Sequence, residues 1–167
     1  MAAALLALRN FLWTVLLPGV VAGYVPWRYF GLSRAHIEWS DPLDLAGLGC
    51  VASGVLLLAL CIFEFARTGR GTLSPVDPPR YLVVRGAYRY VRNPMYLAVT
   101  LVLLGEAAIL HSADLVTYWA CFFVAANLFV IGYEEPYLRS RFGVSYDTYT
   151  QQVGRWVPRV RSGGAGL

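Results

Sequence analysis

Apolar side chains dominate four stretches, at about 10–30, 43–65, 94–110 and 114–133. Each approaches the roughly 20 residues that carry a helix across a hydrocarbon core. Four membrane helices are predicted, the third short and the first interrupted by Pro18, Gly19 and Gly23. A cleaved signal peptide is the alternative for the first stretch, since Arg9 precedes an apolar run ending near Gly23. The run nevertheless continues through Trp27 and Phe30 and holds no Ala-x-Ala site.

Polar residues punctuate these stretches in ways that start helices. Asp41-Pro42 and Asn93-Pro94 each pair an N-cap side chain with proline at the first helical position, and Ser112 or Asp114 can cap the fourth span. Between the second and third spans, residues 67–79 carry enough Gly and Pro to exclude a continuous helix. The β-branched run Tyr81 to Val84 reads as a strand-like piece. Beyond Glu135, the aromatic spacing through Tyr137, Phe142, Tyr146, Tyr149 and Trp156 predicts an amphipathic helix followed by a segment on the membrane interface.

Of the 167 residues, 57% are hydrophobic and 14% charged, which sets the chain apart from an ordinary soluble domain. All 14 basic residues are arginine. Arg28 and Arg34 fall between the first two spans, and the others fall on the opposite side. The positive-inside rule therefore places both termini and the long middle loop in the cytoplasm. The net charge of +4 does not point to nucleic acid, because a span begins directly after the arginine and tyrosine cluster of 85–96, where basic residues meet anionic lipid. Cys50, Cys61 and Cys121 lie within apolar spans without Cys-x-x-Cys spacing, so neither a disulfide framework nor a metal site is expected. No P-loop, Gly-x-Gly-x-x-Gly, nucleophile elbow or His-Glu-x-x-His is present.

Candidate chemistry gathers at the cytoplasmic span ends. Asn127 and Glu134 stand seven residues apart, within about 20° on one helical face. Charged groups at membrane depth are costly and face a bundle interior or a wet cavity. The plainer alternative makes Glu134 and Glu135 solvated end-of-span carboxylates, with Glu135 pairing to Arg139. Asn93 opens the third helix beside Arg85, Arg89 and Arg92, a seat for a carboxylate or phosphate, or else a simple cap among lipid-binding arginines. Tyr88, Tyr90 and Tyr96 can wall a pocket for an onium cation or form the ordinary aromatic belt, the reading preferred for Tyr90. Glu64 has Arg67 and Arg70 nearby, whereas Glu106 has no evident partner. His36 and His111 fall in the outer loops as surface residues.

At these residues the chain resembles the isoprenylcysteine carboxyl methyltransferase and phospholipid methyltransferase superfamily of multi-pass membrane enzymes. The likeness covers about 67–159 and rests on Leu82 and Val83, Gly86 to Tyr88, Arg92-Asn93-Pro94-Met95-Tyr96, Gly105, Glu134-Glu135, Leu138, Phe142-Gly143, Tyr146 and Tyr149. It implies S-adenosylmethionine as cofactor, with Leu82, Val83 and Tyr88 in contact with it. Arg92, Asn93, Pro94 and Tyr96 would form the next part of the pocket, and Glu134, with Glu135, would hold a polar end. For the chemical step, Glu106, Glu134 and Tyr96 are candidate bases by residue type, and Glu134, then Asn93 and Tyr96, are the expected catalytic residues. Val130 stands where isoprenylcysteine enzymes carry an arginine for the substrate carboxylate, and Asn93 replaces their histidine. Gly105 is followed by Glu106 and Ala107, not by the Gly-x-Gly associated with phospholipid N-methylation.

The expected fold is all-α: a polytopic membrane helical bundle of about four transmembrane helices. Its cytoplasmic cofactor pocket would be formed by the loop before the third helix and the C-terminal tail. Residues 1–66 would supply two helices, 67–161 the methyltransferase core and 162–167 a disordered tail. The expected activity moves a methyl group to a lipophilic acceptor: an isoprenylcysteine-like carboxylate, a phospholipid amine or a small thiol. The expected partners are the bilayer and that acceptor, in the cell membrane, with no nucleic acid. A small transporter of hydrophobic cations and a non-catalytic scaffold are the alternatives, and the transporter predicts polar residues near the membrane midplane.

Overall fold

The computed structural model describes residues 18–64 and 82–159. Most of the first predicted span, loop 67–79 with its arginines, Tyr81 and the tail 162–167 lie outside these residues. The described residues are all-helical, without strands. Helix α1 covers 18–29, α2 Pro42–Glu64, α3 Pro94–Ile109, α4 Ala113–Phe142 and α5 Val144–Gln152. A short 3-10 turn, Gly86–Arg89, precedes α3. Helices α2 and α4 are long and apolar enough to cross a membrane, whereas α3 has 16 residues. The run Leu82 to Val84 is not a strand: Val83 is buried against Cys61 and Tyr88, and Leu82 packs on Tyr146, Tyr149 and Val153.

The helix starts follow the expected local chemistry at two of three places. Asp41 Oδ1 accepts from Leu43 N at 2.8 Å, and Ser112 Oγ accepts from Leu115 N at 3.2 Å. Asn93 does not cap α3. Its side-chain amide instead donates to Arg155 O at 3.3 Å, a bond made 62 residues along the chain.

The fourth span does not end near residue 133. Its helix continues through Glu134, Glu135 and Pro136 to Phe142 because a π turn, Val130–Glu134, adds one residue to the coil just before the proline. Glu135 N bonds back to Val130 O, and the wide turn accommodates a ring that has no N–H to give. The same device precedes Pro26, where the π turn Val20–Tyr24 closes with Val25 N on Val20 O.

Helices α2 and α3 pack most intimately, through small residues. A Cβ on Gly105 would meet Gly47 O at 2.5 Å, and one on Gly54 would meet Ala98 O at 2.7 Å. Leu57 and Met95 pack on the same cluster of Cys61, Val83 and Tyr88, so α2 runs about two turns past the start of α3, roughly 10 Å. Those turns abut Gly86 (φ 55°), whose added Cβ would lie 2.8 Å from Glu64 Cγ.

At the other end His111 is no isolated surface residue. Its Nε2 lies 3.1 Å from Oδ1 of the buried Asp44 and 3.4 Å from Asp41 Oδ2, tying the α3–α4 turn to the start of α2. Asp44 Oδ2 accepts from Glu38 N at 2.8 Å.

Candidate functional site

Where α3 begins, its first turn, the middle of α4 and the extended segment 153–159 converge. Arg92 N donates to Gly154 O at 2.9 Å, and Asn93 holds Arg155 O, so this segment crosses the start of α3 as a strap. Beneath it, Tyr96 Oη donates to Glu134 Oε2 at 3.2 Å across the α3–α4 interface. That is long for a hydroxyl on a carboxylate.

The strap is anchored by Glu135. Arg155 Nε and Nη2 reach its two oxygens at 2.7 and 2.9 Å, and Arg92 Nη1 adds a contact at 3.2 Å. The expected Glu135–Arg139 pair does not form. Arg139 Nε bonds Asp147 Oδ1 at 2.8 Å, from the last turn of α4 to α5. The adjacent carboxylates therefore take separate tasks: Glu135 is occupied by two arginines, and Glu134 faces Tyr96.

Asn127 turns toward the same place, its Oδ1 accepting from Trp156 Nε1 at 2.9 Å. The simple seven-residue face is interrupted by the π turn between Asn127 and Glu134, yet both side chains meet the strap or the start of α3. Trp156 also packs edge-on against Tyr96, ring centroids 6.2 Å apart, and against Phe123 at 5.2 Å.

Tyr88 is buried behind this site. Its carbonyl accepts from Tyr149 Oη at 2.7 Å. Burial pushes the hydroxyls of Tyr88 and Tyr149 above their ordinary range, so both remain protonated and Tyr149 stays a donor. Tyr90 is 65% exposed. Pro94 is fully buried at the first position of α3, Val83 packs on Tyr88, and Leu82 packs on Tyr146, Tyr149 and Val153. Glu106 lies outside the cluster, ten residues or about 15 Å along α3 from Tyr96. It is 5% exposed, and its Oε2 has no hydrogen-bond partner among the described residues.

The sequence did not single out Arg155 and Trp156 as site residues. Their only signal was an arginine beside an aromatic, a pattern that surface segments also show, and their partners Glu135 and Asn127 are 20 and 29 residues away.

The family model for phospholipid methyltransferase matches residues 43–145, from the first turn of α2 to the start of α5. The chain belongs to the phospholipid methyltransferase family. Membership marks it as a membrane methyltransferase, in keeping with its two long apolar helices. An uncharacterised protein of Haemophilus influenzae is 38% identical over 63 residues, which make up 38% of this chain and the whole of that protein. In this phospholipid methyltransferase family member, Tyr96, Glu134 and Glu135 fall within the matched residues, and the strap residues Arg155 and Trp156 fall beyond them.

Proposed function

We propose that this chain is an integral membrane enzyme that transfers the methyl group of S-adenosylmethionine to a lipophilic acceptor drawn from the bilayer. The observation that carries this reading is the Tyr96–Glu134 pair under the strap, inside the family-matched region. The residues present suit the cofactor's charges. Glu134 uses one oxygen on Tyr96 and offers a carboxylate to an ammonium or hydroxyl. Among the described residues Arg92 Nε is buried without a hydrogen-bond partner, and a guanidinium donor of this kind suits a carboxylate. The aromatic rings of Tyr96 and Trp156 suit a sulfonium. Pro94 and Asn93 fix the start of α3, while Leu82, Val83 and Tyr88 supply an apolar floor. Glu135 acts through Arg92 and Arg155 by holding the strap.

The cofactor supplies an activated methyl group whose carbon–sulfur bond breaks, the electron pair staying on sulfur, as the acceptor's lone pair forms the new bond. This chain's residues have three tasks: to align, to exclude water and to receive a proton where the acceptor must lose one. Glu134 is the candidate for that proton by residue type.

The depth of the site favours a lipophilic acceptor. On α2, Leu56, Leu60 and Phe63 are exposed level with and beyond the start of α3, and on α4 Leu128, Ile131 and Tyr133 are exposed around Glu134. Apolar side chains turned outward at that level support a site reached from the hydrocarbon. Within this reading there are four spans, both termini are cytoplasmic, and the acceptor is an isoprenylcysteine-like carboxylate, a phospholipid amine or a small thiol. Calorimetric titration of the protein in lipid nanodiscs should show S-adenosylmethionine binding, weakened by Glu134→Gln. Absence of binding by well-folded protein would overturn the proposal.

A further inference from the structure

The side of the Tyr96–Glu134 pair away from the ion pairs is aromatic. On α4, Trp119 and Phe123 lie one turn apart with nearly parallel rings, centroids 6.2 Å and planes 23° apart. Phe123 meets Trp156, and Trp156 meets Tyr96, so a row of rings leads to the carboxylate. Trp156 is fixed at its polar edge by Asn127. From Trp119 to the level of Asn127 the row climbs eight residues of α4, about 12 Å. Trp119 keeps its place although its Nε1 is buried with no hydrogen-bond partner among the described residues. On the same helix Val124 and Leu128 are 57% and 66% exposed, surfaces that a bilayer covers with acyl chains. The row is thus continuous with the candidate reacting centre at one end and flanked by lipid-facing surface.

We propose that Trp156 is a specificity-determining residue for the acceptor. It walls the reacting end of a subsite whose apolar face is Trp119 and Phe123 and whose occupant is the aliphatic chain of a membrane lipid. The inference rests on the methyltransferase reading. Its chemistry is the complement of the donor's: Arg92 and Glu134 match charge, whereas the ring row matches methylene groups, which gain by leaving water or loose lipid for close-packed aromatic surface. Trp156 stands between the two, so its bulk decides how near a chain can come to Tyr96. Asn127 decides how firmly that wall stands.

Tryptophan emission in nanodiscs of phosphatidylcholine with brominated acyl chains tests the contact without requiring turnover, because bromine quenches only indole that it touches. The full chain has five tryptophans, and a reporter with Trp13, Trp27, Trp39 and Trp119 changed to phenylalanine retains Trp156 alone. Its emission should lose most of its intensity in brominated lipid; unchanged emission overturns the inference. A second reporter retains Trp119 and carries Trp156→Phe or Trp156→Ala. Quenching of Trp119 should rise in the alanine form as chains pass the removed wall, and equal quenching in the two overturns the barrier role. The phenylalanine form guards against misfolding, because it keeps an aromatic ring while losing the Asn127 bond and part of the indole's bulk. Titration of the same nanodiscs with S-adenosylmethionine reads the enzyme proposal separately. Cofactor binding without quenching removes the acceptor subsite, and quenching without cofactor binding removes the methyltransferase reading.

Discussion

The seam between α2 and α3 and the junction of α3, α4 and the strap are held by different forces. Along the seam, Gly47, Gly54 and Gly105 bring backbone against side chain with no room for a methyl group, so shape alone sets the spacing. At the junction, contact depends on a few bonds between residues far apart in the chain: Tyr96 to Glu134, Trp156 to Asn127 and Arg155 to Glu135. A steric seam cannot shift without clashing, whereas hydrogen bonds can be exchanged for bonds to a ligand. The difference separates contacts set by shape from contacts set by a few polar groups.

The largest expected effect lies in the seam. Gly105→Val sets a side chain against Gly47 O and Val51 Cγ2, and should cost about 3 kcal/mol of bundle stability. Detergent-titrated unfolding would measure it; a loss far below that would mean the seam yields as readily as the junction. Next comes the strap. Glu135→Ala leaves Arg92 and Arg155 without their carboxylate and should cost about 2 kcal/mol after discounting for the part-exposed Arg155. Trypsin should then cut at Arg155 and Arg159 faster than in the parent, while unaltered cleavage would show that the clamp does not hold the strap.

Glu134→Gln keeps the shape and removes the charge, so it separates binding from folding. Cofactor affinity should fall about tenfold, ~1.4 kcal/mol, with unfolding unchanged. The smallest change is Tyr149→Phe, which deletes one buried bond to Tyr88 O and should cost about 1 kcal/mol. Hydrogen exchange at the Gly86–Arg89 turn would register it first, and equal protection in both proteins would show that packing alone fixes that turn.

Much of the fold was legible because its causes are local. Hydropathy marked α2 and α4, and Asp41 and Ser112 announced helix starts that their own side chains complete two or three residues on. Asn93 carried the same signature and did something else, because the strap offered its amide a partner that no local pattern contains. The continuation of α4 past Glu134 was hidden for a related reason. Hydropathy ends near residue 133, whereas the backbone continues through a π turn that precedes Pro136 and closes with Glu135 N on Val130 O.

By itself the sequence determined that the chain is a membrane protein, which motifs bracket its chemistry, and that Glu134 and Tyr96 belong to the residues worth watching. Composition and short spacings carry that information, since transfer into lipid and helix capping depend on a residue and its near neighbours. Only the tertiary structure decided that Glu134 meets Tyr96 while Glu135 is consumed by Arg92 and Arg155, and that Trp156 ends a row of rings beside them. Two adjacent glutamates are alike in sequence. Their tasks diverge because successive residues of a helix point in different directions, one toward Tyr96 on α3 and the other toward Arg155 on the strap.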